Sequence, residues 1–301
     1  MKSNDYANAL IQFFVHVSPL RDYFLMNDFD DSADHFLYSF AELVRKMWNP
    51  RLFKAQVSPH EFLQAVSLAS NKKFSLASQI DPMEFLPWFL NKLSENLSKR
   101  KCNIISKFQG KLKIITTKST KAKQSDFALL NGNADDVKEA PFYFLTLDLP
   151  SNPLFLSDKG ESLIPQIAIE ELLAKYNGNK VTFQGEFSKK YSIVTLPDYL
   201  LIHVKRFVKN VWTTEKNSTI VNFPLKHLEI VSEDNARHSY DLIGSICHEG
   251  QIGAGNYKCH ILSKSNNQWY EIQDLSVVPV LPPSVLVSES YIQLWEKNKQ
   301  A

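Results

Sequence analysis

The stretch that decides the fold runs from Tyr240 to Asp274, YDLIGSICHEGQIGAGNYKCHILSKSNNQWYEIQD. It reads as two strands, Tyr240–Cys247 and Tyr257–Ser263, joined by a glycine-rich loop, with a third strand at Gln268–Ile272. The glycines at 250, 253 and 255 let that loop bend close to a neighbouring groove. Loops mounted on rigid strands are where proteins tend to place sites, yet this one carries no evident catalyst.

Upstream of it, Leu200-Leu201-Ile202-His203-Val204-Lys205-Arg206-Phe207 is a near-continuous apolar strand ending in charge, suited to the middle of a sheet. His203 there reads as a core histidine. Further strands are expected at Phe142–Leu149, Tyr191–Val194, Ile220–Phe223 and Val285–Trp295, and Ile104, Ser106 and Phe108 alternate with strand period. Residues 116–140 are polar and read as a long mobile loop. A helix is expected from Pro165 to Tyr176, stopped by Asn177-Gly178.

The first hundred residues carry helical period instead. Asn4 can cap a helix whose apolar face is Ala7, Leu10, Ile11 and Phe14, ended by Pro19. Phe36, Phe40, Leu43 and Met47 repeat the pattern up to Asn49-Pro50. Ser58-Pro59-His60-Glu61 has the form of a capping box, and Asp81-Pro82-Met83-Glu84 opens another helix with Pro87 inside it. Helices first and strands after make the chain α+β.

With 301 residues, 44% of them hydrophobic, the chain can bury a sizeable core. A net charge of +2 is too small to imply nucleic acid or membrane, and no apolar run approaches the length of a membrane span. Three cysteines, none in a CxxC, fit a reducing compartment rather than a disulfide framework.

Cys247-His248 and Cys259-His260 are the clustered soft ligands. Neighbours on a strand point to opposite faces, so all four cannot converge on zinc without a bulge, and no metal is expected. A thiolate–imidazole pair would need one of these cysteines within hydrogen-bond reach of a base. Lys107, Lys111, Lys113, Lys118, Lys121 and Lys123 lie in a segment free of acids from 99 to 125. They read as a solvated hairpin or as an electrostatic contact with an acidic protein or RNA. Phe108 is the sole aromatic among them, so a base-stacking platform is not supported.

Together these pieces resemble the ubiquitin-specific proteases over the whole chain. Asn4-Asp5-Tyr6-Ala7-Asn8-Ala9-Leu10-Ile11-Gln12 resembles the family's cysteine box, and Asp81–Leu86 its D-x-x-E-F-L helix start. Phe108-Gln109-Gly110 resembles F-x-G, and Phe144–Pro150 resembles L-x-L-D-x-P. Leu201–Phe207 resembles L-x-L-K-R-F, and Val221-Asn222-Phe223-Pro224 resembles V-x-F-P. Tyr240–Tyr257 and Trp269–Asp274 resemble the histidine box and its carboxylate partner.

The resemblance implies a papain-type hand in one domain, 1–301. Its helical thumb spans about 1–102 plus 160–178, its β fingers about 103–196 and its β palm about 197–301. It also implies a cysteine, a histidine and an orienting Asp or Asn at positions that here hold Asp5, Asn256 and Gln273, with Asp274 adjacent. A carboxylate is a poor nucleophile toward an amide, and Asn256 has no group titrating near neutral pH. The family's fingertip zinc would need cysteines near Lys118 and Lys121 and around Val181–Glu186, where there are none.

In detail the chain is most similar to the family's catalytically inactive branch, a splicing factor associated with the spliceosomal tri-snRNP. Trp48-Asn49-Pro50, Val57–Glu61 and Tyr270–Asp274 carry that likeness. It implies a nuclear, non-catalytic scaffold bound to tri-snRNP proteins, without cofactor or metal and with ubiquitin bound weakly if at all. The branch's upstream zinc-finger ubiquitin-binding domain is expected to be missing, as in a shortened chain. The competing expectations are an active protease using unexpected residues such as Cys259, or a pure ubiquitin reader.

Overall fold

The computed structural model describes residues 4–29, 34–54, 56–76, 79–118, 136–150, 164–185, 187–209, 214–251, 253 and 255–298. Helices come first: α1 (Asp5–His16), α2 (Ser18–Met26), α3 (His35–Met47), α4 (His60–Ala69) and α5 (Pro82–Lys99). Strands β1 (Gly110–Lys118), β2 (Asp136–Phe142), β3 (Phe144–Asp148) and β4 (Gln166–Ala168) precede a short helix α6 (Ile169–Leu173). Next are β5 (Asn177–Gln184), β6 (Phe187–Thr195), β7 (Tyr199–Lys205), β8 (Phe207–Lys209), β9 (Thr214–Lys216), β10 (Ile220–Asn222) and β11 (Leu228–Val231). The chain ends with β12 (Arg237–Glu249), β13 (Asn256–Ser263), β14 (Gln268–Gln273), β15 (Ser276–Val280), α7 (Pro282–Leu286) and β16 (Ser290–Lys297). The α+β expectation holds.

Local chemistry explains most helix starts. Asp81 caps α5 by accepting from the Met83 amide at 2.8 Å, and Asp34 caps α3 through the Phe36 amide at 3.0 Å. Helix α5 continues unbroken through Pro87. Pro19 does not merely end α1; it sits in the first turn of α2, where its missing N–H is no loss. The expected capping box at Ser58 does not close, because Glu61 pairs with Lys46 at 2.8 Å. Nor does Asn4 cap α1 through its side chain.

Several expected elements change type. Ile104–Phe108 is a 3₁₀ turn, not a strand. The expected helix from 165 begins instead as β4, because Ile220–Asn222 offers it a parallel partner in β10. The expected strand from Val285 begins as the end of α7 and becomes β16 only at Ser290. The strands flanking the polar segment reach in to Lys118 and out from Asp136, and 119–135 lies outside the described residues.

The chain divides into two compact units, Met1–Ser106 with Gly244–Val285 and Lys107–Ile243 with Leu286–Ala301. In the first, an aromatic core joins the helices. Phe89 lies 5.1 Å from Phe14, 5.4 Å from Phe40 and 5.5 Å from Phe85, mostly in the tilted or edge-on arrangements that aromatic quadrupoles favour. The end of β12, with β13, β14 and β15, forms an antiparallel meander in which Ile246 faces Cys259, Cys259 faces Ile272 and Ile272 faces Val277. Helix α1 packs on β13. A Cβ on Gly244 would lie 3.0 Å from the Phe13 ring, so the helix sits close to the sheet there.

In the second unit, β2-β1-β6-β5 make a four-stranded antiparallel sheet. Strand β7 lies between β16 and β3 and is buried from Tyr199 to Val204, as its unbroken apolar run requires. His203 packs edge-on to Tyr291 at 5.0 Å, and burial pulls its pKa down to about 4, so it is a neutral core group. Arg206, fully buried, donates to the carbonyls of Ser290 at 2.7 Å, Asn217 at 3.0 Å and Thr219 at 2.8 Å. Its guanidinium thus closes β16 and the segment before β10 around the end of β7.

Arg206→Met keeps the stem but leaves three buried carbonyls without donors. It should lower unfolding stability by about 3 kcal/mol or more, read from urea denaturation. A loss below about 1 kcal/mol would mean the guanidinium does not hold these segments.

Candidate functional site

The N-terminus of α1 is buried because nearly every face of the helix is apolar: Tyr6, Ala7, Leu10, Ile11, Phe13 and Phe14 are all enclosed. That carries Asp5, only 5% exposed, into the first unit's interior. One carboxylate oxygen accepts from the Tyr6 amide at 2.9 Å and the other from the Tyr257 amide at 2.7 Å. The helix N-terminus favours this negative charge. Desolvation is the largest influence on Asp5 and raises its pKa; the two amide donors pull the other way, and Asp274 adds to the rise.

Two further bonds join α1 and its neighbours to the strand ends. Asn8 donates to the Asp274 carboxylate at 3.2 Å, and Asp274 adopts a left-handed backbone with φ +50°. Gln79 donates to the Gly255 carbonyl at 2.8 Å. Gly255 must be glycine on grounds of space, because a Cβ would lie 2.4 Å from His248 Nε2 and 2.5 Å from the Glu249 carbonyl. Beyond it, Asn256 begins β13 opposite Glu249 with its side chain exposed, and Gln273 ends β14 opposite Ser276.

The structure therefore brings Asp5 and Asp274 to one region, beside the strand that carries Asn256. Asp5 meets the amide of Tyr257, not the side chain of Asn256. Both carboxylate oxygens of Asp5 already accept backbone donors, so the group is engaged as a tie. Cys259 lies completely buried on β13, and burial pushes its thiol pKa far up. Such a sulfur has neither the access nor the ionisation that attack on a protein substrate needs.

The lysine segment is less uniform than its sequence implies. Lys107 pairs with Asp198 at 2.8 Å and Lys113 with Glu233 at 2.6 Å, acids distant in the chain. Lys111 and Lys118 are exposed on β1, while Lys121 and Lys123 lie outside the described residues. Register adds lysines that one-dimensional reading missed. Lys138 faces Ile114 and Lys189 faces Thr116, which puts both on the sheet face that carries Lys118. Among the described residues no ion pair involves these three. Phe187, opposite Lys118, is 44% exposed. Among the described residues no cluster of His, Cys, Asp and Glu is arranged to hold a metal ion.

A family profile described as ubiquitin carboxyl-terminal hydrolase matches residues 1–295. The chain is 41% identical to ubiquitin carboxyl-terminal hydrolase 39 of Homo sapiens over 326 aligned residues, 99% of this chain and 58% of that protein. It is 37% identical to a protein of Schizosaccharomyces pombe named probable mRNA-splicing protein ubp10, covering 99% of this chain and 64% of that one. The crystal structure of an essential yeast splicing factor superposes with a TM-score of 0.76 at 27% identity, over 98% of this chain and 67% of that one. The chain thus spans about three fifths of the length of these two curated relatives.

Asp5→Ala leaves the Tyr257 amide without its acceptor and should cost about 1–3 kcal/mol at neutral pH. Asp5→Asn tests the charge. Because the folded pKa of Asp5 is raised, the folded state holds its proton more tightly than the unfolded chain. The stability of wild type relative to Asp5→Asn should therefore be greatest below the usual carboxylate range. It should shrink as pH rises through the raised value and stay level above it. A difference that grows with pH in urea titrations would contradict the burial-dominated assignment.

Proposed function

Because this chain belongs to the ubiquitin carboxyl-terminal hydrolase family, we propose that it is a non-catalytic member acting as a scaffold in nuclear pre-mRNA splicing, within the spliceosomal tri-snRNP. The observation that carries the inactive reading is the Asp5 carboxylate locked by the Tyr6 and Tyr257 amides. In this reading Asp5, Asn256 and Gln273 stand where active members hold their nucleophile, base and orienting group, with Asp274 beside them. A carboxylate held by two amides cannot attack an isopeptide carbonyl, and an asparagine amide cannot return a proton to a leaving lysine amine. In a serine protease, removal of the nucleophile or the base costs roughly a millionfold in rate, which here would leave no useful turnover.

The splicing part of the reading is supported by the names of the relatives, two of which are splicing proteins. Partners are tri-snRNP proteins, with ubiquitin at most a weak ligand. Within the proposed thumb, fingers and palm, the finger sheet supplies one contact through Lys118, Lys138 and Lys189, which share a face, toward an acidic protein surface. Lys107 and Lys113 contribute less, since each already has an acidic neighbour.

A ubiquitin fluorogenic substrate and a ubiquitin-based thiol probe should both give no signal with the chain, while nuclear-extract purification should recover tri-snRNP proteins and RNAs. Labelling of any cysteine by the probe would overturn the inactive reading. Charge reversal at Lys118, Lys138 and Lys189 should weaken particle association most at low salt. Association that is unchanged at every ionic strength would remove the finger contact.

A further inference from the structure

Away from Asp5, on the other face of the same meander, the register assembles a second group. Ser245 faces His260 and Cys247 faces Lys258, so Cys247 and His260 are diagonal neighbours on one side of the β12–β13 pair. Glu271 faces His260 from β14. The Cys247 Sγ lies 3.6 Å from His260 Nδ1, and His260 Nε2 lies 3.1 Å from a Glu271 carboxylate oxygen. The same carboxylate takes the Lys258 ammonium at 3.0 Å, and Lys258 also reaches Glu249 at 3.2 Å. Each Cys-His dipeptide splits across the sheet, as strand geometry demands; the chemistry arises from the cysteine of one and the histidine of the other.

The protonation pattern follows from the partners. Glu271, beside Lys258 and His260, has its pKa lowered despite partial burial, so it is an acceptor at neutral pH. His260 has its pKa lowered chiefly by burial and is neutral there. Its Nε2 must then carry the proton given to Glu271, which leaves the Nδ1 lone pair facing the thiol. This is a thiol, a base and an orienting carboxylate in line, the arrangement that activates a sulfur.

Access sets what that sulfur can react with. Cys247 is 2% exposed and His260 1%, while Glu271 reaches the surface. A protein substrate cannot approach such a sulfur, so the relay does not rescue protease activity. Only a reagent near the size of water fits such an enclosed site, entering by local opening of the strands.

We propose that Cys247, with His260 and Glu271 as positioning residues, is a peroxide-modifiable thiol. Hydrogen peroxide, or a comparably small hydroperoxide, is the reagent. The thiol proton passes to His260 Nδ1, the sulfur attacks one peroxide oxygen, and an S–O bond forms as the O–O bond breaks. Sulfur is oxidised by two electrons to the sulfenic acid, and the departing hydroxide takes the proton from His260 and leaves as water. Cys259 is the built-in comparison: enclosed on the adjacent strand, with its thiol pushed up by burial and, among the described residues, no imidazole bonded to its sulfur.

The test exposes the full chain to hydrogen peroxide and quenches it with catalase. The chain is then unfolded, and the remaining free thiol at each cysteine is quantified by isotope-coded alkylation and mass spectrometry. Cys247 should oxidise at least tenfold faster than Cys259. His260→Gln should bring Cys247 down to the Cys259 rate, and Glu271→Gln should slow it by a smaller factor, with melting temperatures recorded for each variant. Simple loosening of the fold would speed both cysteines together, whereas loss of the base slows Cys247 alone. Equal rates at the two cysteines in wild type, or a Cys247 rate unchanged by His260→Gln, would overturn the proposal.

Discussion

The constraint on which the first unit depends is the near-complete burial of α1. A helix enclosed on almost all sides leaves its first amides without solvent, and the groups at its N-terminus must be satisfied internally. Asp5 meets that need with one oxygen and holds the Tyr257 amide at the start of β13 with the other, so the helix start and the strand start are fixed by one side chain. The glycines follow from the same closeness. Gly244 admits the Phe13 ring, and Gly255 admits His248 and the Glu249 carbonyl. Thus what reads in sequence as a loop free to bend is, at Gly255, a loop pressed against its neighbours.

Much of the fold was legible where a pattern depends on local periodicity. The amphipathic helices α3 and α5 and the apolar strand β7 are where hydrophobic spacing placed them, because a buried stripe or a doubly buried strand leaves a direct mark on composition. The errors fall where a distant partner decides. Gln166–Ala168 leads directly into a helix but meets Ile220–Asn222, and pairing wins over propensity. Glu61 was read as part of a capping box because it is three residues from Ser58, yet Lys46 offers it a charge.

The candidate site divides the same way. That Asp5 carries a carboxyl is sequence; that both its oxygens are occupied is structure. The lysines on β1 and in the turn before it were visible, but their meaning was not, since Asp198 and Glu233 are remote in the chain and Lys138 and Lys189 join the face of Lys118 only through strand register. Strand alternation splits each Cys-His dipeptide between the two sheet faces. It also contained the diagonal contact of Cys247 with His260, which needs the register of β12 against β13 to be seen.

Under the proposed reading, loss of chemistry and gain of a tie at Asp5 are one change. A catalytic thiol must stay free of strong acceptor bonds so that its sulfur can reach a carbonyl, and it must face an imidazole. A carboxylate at the same place does the reverse. It draws in backbone donors, and its second oxygen holds the strand that would otherwise present the base. Its burial carries an electrostatic penalty, seen in the raised pKa, which an enzyme would exploit for proton transfer. With Asn256 turned to solvent and no titrating partner on that residue, the penalty serves no reaction and is partly offset by two amide bonds. A strand start fixed in this way suits a protein whose work is to hold partners, because binding then need not pay to order it.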